Sequence, residues 1–308
     1  MKATFKSNLF VMLVILTQIF GGFLLRPIFY GLKLPVGIIL VLGQLLLLLF
    51  PVVLYFVITK EPFLKTIRFN RISPIQILLI IGIAIFIQPA AQLIGILSNF
   101  ISKNYIGNAM EQINSLTLIT KFGIVALTPA ICEELVIRGV AFSGYRKKDI
   151  RISAIITGLF FGILHLNLQQ FFYAFALGVL LAYIVYITNS IIAAMVCHFT
   201  FNGFQLLLQF IAAKIVVAYN IKVPSDITKF TSVEKLQLVL GELFWVFLIT
   251  PVAFAFIYLL RRVSLKRNSI IYGELESFEK TNIREVLNWP FFVIILTFIF
   301  YLVYIQFR

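Results

Sequence analysis

Residues Thr128 to Phe142 read Thr-Pro-Ala-Ile-Cys-Glu-Glu-Leu-Val-Ile-Arg-Gly-Val-Ala-Phe. Two adjacent carboxylates, Glu133 and Glu134, and one guanidinium, Arg138, interrupt an apolar run from Phe122 to Phe142. As a helix rising about 1.5 Å per residue, that run is long enough to cross the hydrocarbon core of a bilayer. An ionisable group at membrane depth costs roughly 2.5–3.5 kcal/mol on insertion scales, so three of them close together require a reason. Glu134 and Arg138 stand at i, i+4 on one helix face and can neutralise each other. Glu133 lies about 100° round the helix and has no partner in its own segment. It is expected to face a polar cavity and to act there.

The rest of the chain sets that segment in a membrane. A hydrophobic fraction of 61%, only 12% charged residues and a mean hydropathy of +1.03 exclude an ordinary soluble domain. The net charge of +14 raises the question of nucleic acid. The charges sit in short loops between apolar runs, without interleaved aromatics, so no nucleic-acid partner is expected. Nine apolar segments are predicted: 8–25, 36–58, 74–98, 122–142, 152–169, 171–187, 190–213, 237–260 and 290–307. The fold class is therefore all-α, a polytopic transmembrane bundle of about 8–9 spans forming a single membrane domain over 1–308, with the site among spans 4, 5 and 7.

Sixteen basic residues fall on one side of that arrangement and nine on the other, with Arg138 inside the membrane. Positive-inside bias then puts the N-terminus in the cytoplasm of a multi-pass cell-membrane protein. Lys2 and Lys6 precede a run too long for a cleaved leader, and no small-x-small site follows, so it reads as an uncleaved first span. Residues 152–169 and 171–187 require a tight turn near Gln170. An interfacial amphipathic helix is expected in Asn99–Lys121, with Ile101, Ile106, Met110, Ile113 and Leu116 as its apolar residues. A polar loop with Pro224 is expected over 214–236. A solvated segment over 261–289, carrying Glu274, Glu276, Glu279 and Glu285, is expected to be anchored by Trp289. Gly158, Gly162, Ala174, Gly178 and Ala182 recur at four-residue spacing, as close helix packing in lipid requires. Pro129, four residues before Glu133, removes a helix hydrogen bond and is expected to kink the span, as Pro89 and Pro251 can in theirs. Cys132 and Cys197 lie in apolar runs without C-x-x-C spacing and read as small buried hydrophobes.

The chain has two histidines, His165 and His198, each predicted in the middle of a span, and Asn202 lies one turn beyond His198. Glu133, His165 and His198 are 13, 14 and 9 residues from Arg146, Arg151 and Asn189. These spacings correspond to about 20, 21 and 14 Å of depth, close enough for one level once tilt is allowed. Two chemistries use such a set. In one, Glu133 takes a proton from a water attacking an amide carbonyl, with His198 and Asn202 donating to the oxyanion. His165 would orient the water or protonate the leaving amine. In the other, Glu133, His165 and His198 hold Zn²⁺, which acidifies its bound water; the H-E-x-x-H arrangement is absent. The residues leave both open.

Glu133-Glu134-x-x-x-Arg138, then Phe161-x-x-x-His165, then His198-x-x-x-Asn202 resembles the three-motif signature of the CAAX-protease and bacteriocin-processing family, also called Abi or CPBP intramembrane proteases. The resemblance covers about residues 120–205. It implies a membrane endopeptidase with its site buried in a helix bundle, acting on membrane-associated or lipid-modified peptides. Some members remove the tripeptide after a prenylated cysteine; bacterial relatives are associated with bacteriocin self-immunity or peptide-signal processing. It assigns catalysis to Glu133, His165, His198 and Asn202, with Glu134 sharing the base role and Arg138 and Phe161 in support. Both metal-dependent and glutamate-only mechanisms have been attached to the family. The alternatives are a non-catalytic scaffold or immunity protein, and a proton-coupled transporter. For the peptidase, water is expected to reach the site from the cytoplasmic side.

Overall fold

The computed structural model describes residues 2–102, 112–220, 230–272 and 282–306, and no strand occurs among them. Apolar stretches that cannot leave a backbone N–H or C=O unpaired in lipid become helices, and the predicted order is realised. The first three are α1 (Ala3–Gly31), α2 (Val36–Thr59) and α3 (Pro74–Asn99). Next come α4 (118–145), α5 (Ile150–Leu164) and α6 (Leu168–Thr188). The last are α7 (Ile191–Ala218), α8 (Ser232–Tyr272) and α9 (Trp289–Gln306). Among the described residues, six helices are long and apolar enough to cross a membrane, namely α1, α2, α3, α6, α7 and α8. α5 and α9 are shorter apolar helices, and α4 alternates α, π and 3₁₀ turns. The protein is a multi-pass membrane protein.

Proline sets two of the irregularities. Pro89 cannot bond the carbonyl of Ile85, and α3 breaks at Ile87. In α4, π-helical turns over Phe122–Leu127 hand over to α-helical turns at Thr128–Glu134, with Pro129 at the junction. Such π segments mark functional sites more often than ordinary helix does. Pro251, by contrast, lies inside α8 without a break in helical assignment.

Three boundaries depart from expectation. The turn predicted near Gln170 lies at His165–Asn167: Leu166 takes a left-handed backbone (φ 50°), and the Asn167 side chain caps α6 by accepting from Gln169 N at 2.8 Å. His165 therefore ends a helix instead of occupying the middle of one. α8 does not stop at 260 but continues to Tyr272. Tertiary bonds stabilise the added turns: Gln76 donates to Ser264 Oγ at 2.9 Å, and Asn268 donates to the Ile187 carbonyl at 3.0 Å. The loop expected over 214–236 is likewise shortened by α7 and α8. Ile106 and Met110 of the expected interfacial helix, Pro224, and Glu274, Glu276 and Glu279 lie outside the described residues.

α5 and α6 form a close-packed hairpin. A Cβ added at Gly178 would stand 2.8 Å from Gly158 Cα and 3.0 Å from Phe161 Cβ, so the small-residue spacing reports backbone contact. One buried apolar cluster draws on each helix from α1 to α9, with Val14, Ile83, Val136, Phe160, Leu181 and Ile294 among its members. At one end of the bundle Glu285 receives both Lys2 and Lys148 at 3.0 Å. There too Asn8 accepts from the Tyr145 hydroxyl and donates to the Val286 carbonyl. Asn70 donating to Asn189 O, together with Lys6 beside Glu61, assigns the remaining loops of that end.

Candidate active site

Glu134 and Arg138 meet as their i, i+4 spacing requires. Arg138 Nη1 donates to Glu134 Oε1 at 3.0 Å, and both side chains are fully buried. The guanidinium is held on two further sides: Nη2 donates to the Gly178 carbonyl at 2.9 Å, and the group lies over the Phe161 ring at 4.4 Å. The bare backbone of Gly178 thus brings α6 both against α5 and onto Arg138.

Glu134 Oε1 also meets His198 Nδ1 at 2.9 Å. A carboxylate accepts only, so Nδ1 carries the proton and Nε2 is the nitrogen left for other work. His165 is set in the same sense by a different route. Its Nδ1 donates to the Phe161 carbonyl at 2.8 Å, an oxygen at the end of α5 that no further helical turn can bond. Its Nε2 lies 3.9 Å from Glu133 Oε2. Phe161 stands between the two imidazoles, edge-on to His165 and His198 with centroids at 5.1 and 5.5 Å. Asn202 Nδ2 donates to the Val125 carbonyl at 3.1 Å.

Glu133, Phe161, His165, His198 and Asn202 line one chamber of about 870 Å³. The structure therefore brings together five of the seven residues singled out in the sequence, while Glu134 and Arg138 stand behind the wall and orient it. Glu133 Oε2 is buried without a hydrogen-bond partner. Sequence reasoning missed the chamber's further polar lining, Gln44, Gln92, Asn99, Tyr173, Gln205 and Gln209. A signal existed: His198, Asn202, Gln205 and Gln209 are spaced four, three and four apart, a single helical face.

The chamber's position bears on the expected access of water from the cytoplasmic side. Its lining comes from the early part of α2, the last third of α3, the first half of α6, and α4 and α7 as far as their middles. The α2, α3 and α6 portions lie away from the end holding Lys2, Lys148 and Glu285. Leu40 and Gln209, both exposed, are among its lining residues.

Zinc requires three or four ligands converging on one point. Among the described residues no group of three His, Cys, Asp or Glu side chains does so. The donor set as arranged does not fit a three-ligand site, and no step below runs through a metal.

A family model described as Rce1-like, type II CAAX prenyl endopeptidase Rce1-like, matches residues 115–204. Residues 115–204 are CAAX-protease-like. All seven residues discussed above fall in this segment, which covers less than a third of the chain. The CAAX-protease-like segment supplies α4 to the middle of α7, whereas α2 and α3 close the chamber from outside it. The match supports a membrane peptidase. No curated protein and no solved structure matches the chain.

Proposed function

We propose that the chain hydrolyses a peptide bond in a membrane-associated or lipid-modified peptide, with Glu133 as the base that activates water. The observation carrying this reading is the unpaired Glu133 Oε2, buried in the chamber 3.9 Å from the free nitrogen of His165. One water in the chamber can donate one hydrogen to the carboxylate and the other to His165 Nε2. As the water oxygen bonds to the peptide carbonyl carbon, its proton passes to Glu133. His198 Nε2, when protonated, and the second N–H of Asn202 donate to the oxyanion. Collapse of the tetrahedral intermediate breaks the C–N bond, and Glu133 returns the proton to the leaving amine.

Glu134 is assigned a positioning role, because its carboxylate is committed to Arg138 and His198 and does not line the chamber. A scaffold would have no use for a solvent-sized chamber with an unpaired carboxylate in its wall. Glu133→Gln tests the reading. Purified in detergent and offered quenched-fluorescence membrane peptides, the variant is expected to lose about 10²–10⁴-fold in rate at an unchanged melting temperature. Turnover at the wild-type rate would remove Glu133 from the mechanism.

A further inference from the structure

We propose that the chamber is loaded from the extracytoplasmic side of the membrane, and that its substrates are peptide segments displayed on that face. The proposal rests on the peptidase reading for what is cut; its sidedness stands on separate observations.

The first is charge. Contacts of Lys2 and Lys148 with Glu285, of Asn70 with Asn189, and of Asn268 with Ile187 gather the loops before α1, α3, α5, α7 and α9 at one end of the bundle. Among the described residues that end carries fifteen Lys and Arg, from Lys2 to Arg284. The other end carries five, Arg26, Lys33, Lys121, Lys214 and Lys235. Such an asymmetry over short loops orients the basic end to the cytoplasm.

The second is the chamber's position. The α2, α3 and α6 walls of the chamber lie toward the end remote from the basic one, Glu133 sits near the middle of α4, and the polar face of α7 runs from His198 outward to the exposed Gln209. On the basic side the site is closed by the buried Glu134–Arg138 pair and by Val136, Ile137 and Val140, all without exposure. Among the described residues, the chamber's polar lining continues toward the opposite end.

The third concerns what passes along that route. Gln44 Oε1 and Asn99 Oδ1 line the chamber on the α2 and α3 walls, buried and without hydrogen-bond partners. Acceptors left unpaired in a wall call for N–H donors, and an extended peptide backbone presents them at regular intervals. The carboxamides carry no charge, so the fit is to backbone and not to an ionic headgroup.

The test replaces the two buried cysteines, Cys132 and Cys197, with alanine and introduces single cysteines at exposed positions of each end, Lys33→Cys and Lys147→Cys. A membrane-impermeant maleimide is applied to intact cells and to inverted vesicles, with labelling in detergent as the control for expression. Lys33→Cys is expected to react in intact cells, and Lys147→Cys only in inverted vesicles. Failure of Lys33→Cys to react in intact cells, or reaction of Lys147→Cys there, would overturn the proposal. That failure would leave the peptidase reading intact, which falls only if Glu133→Gln retains turnover.

Discussion

The side-chain amide of Asn202 donates to the carbonyl of Val125 at 3.1 Å. That oxygen is the one an α-helical N–H at position 129 would take, and position 129 is proline. Pro129 thus opens a vacancy on α4 that α7 fills, and the bond ties the helix of His198 to the helix of Glu133. Asn202→Ala is expected to cost about 1–3 kcal/mol, the range for leaving a buried polar group unpaired. Adding Pro129→Ala should recover part of the loss, because a backbone N–H returns to the same carbonyl. Thermal unfolding of the single and double variants in detergent checks this coupling.

Arg138→Ala should be more damaging. It leaves Glu134 buried with one partner fewer, and breaking a buried ion pair from one side costs about 3–5 kcal/mol. Arg138→Lys should rescue little, since an ammonium cannot bond Glu134 and the Gly178 carbonyl in a fixed fork while lying flat on Phe161. Melting temperatures of the two variants, compared with wild type, decide the point.

The contact of α5 with α6 gives a steric prediction. A methyl group at Gly178 would press on Gly158 Cα and Phe161 Cβ, neither of which is the free end of a flexible side chain. Gly178→Ala should therefore push Phe161 and the guanidinium out of register. It should lower both stability and any peptide turnover, while Gly22→Ala on α1, where nothing lies within 4 Å, should be neutral in both.

Glu285 provides a pH dependence outside the membrane. Hydrogen bonds from Lys2 and Lys148 hold its carboxyl below the ordinary glutamate value of 4.5. For a carboxylate shifted down, the stabilisation is fully present above 4.5 and is lost as pH falls through the lowered value. Stability titrated from pH 6 to about 3 should fall in wild type more than in Glu285→Gln, in which that part of the slope is missing.

Metal content provides a last check. Because the described donors do not converge as three ligands, purified protein is expected to cleave peptides in the presence of chelator and without stoichiometric zinc. One zinc per chain by mass spectrometry, lost in His165→Ala/His198→Ala, would establish instead that these side chains rearrange around a metal.

Much of this was legible in the sequence because membrane helices are written in runs of apolar residues, and the nine predicted runs correspond to α1 to α9 among the described residues. The Glu134–Arg138 pair follows from i, i+4 spacing alone. The turn at His165–Asn167 was not legible by hydropathy, since Leu164, Leu166 and Leu168 continue the apolar run; the capping preference of Asn167 was the local clue. Bonds between distant segments, such as Asn202 to Val125 and His198 to Glu134, depend on how helices pack and carry no signature in either partner's neighbourhood. The polar stripe of α7 beyond Asn202 was present as spacing but acquires meaning only once α2 and α3 stand opposite it.

The early end of α5 has a further consequence. Its 15 residues span about 22 Å, some 8 Å less than the hydrocarbon thickness. The hairpin tip that holds His165 therefore stops short of the far interface, and above it the bundle holds a polar recess where neighbouring helices run on. Under the proposed loading from that end, a peptide would reach Glu133 without crossing the full hydrocarbon thickness. On that reading, the bond to be cut need not be drawn through the full depth of lipid.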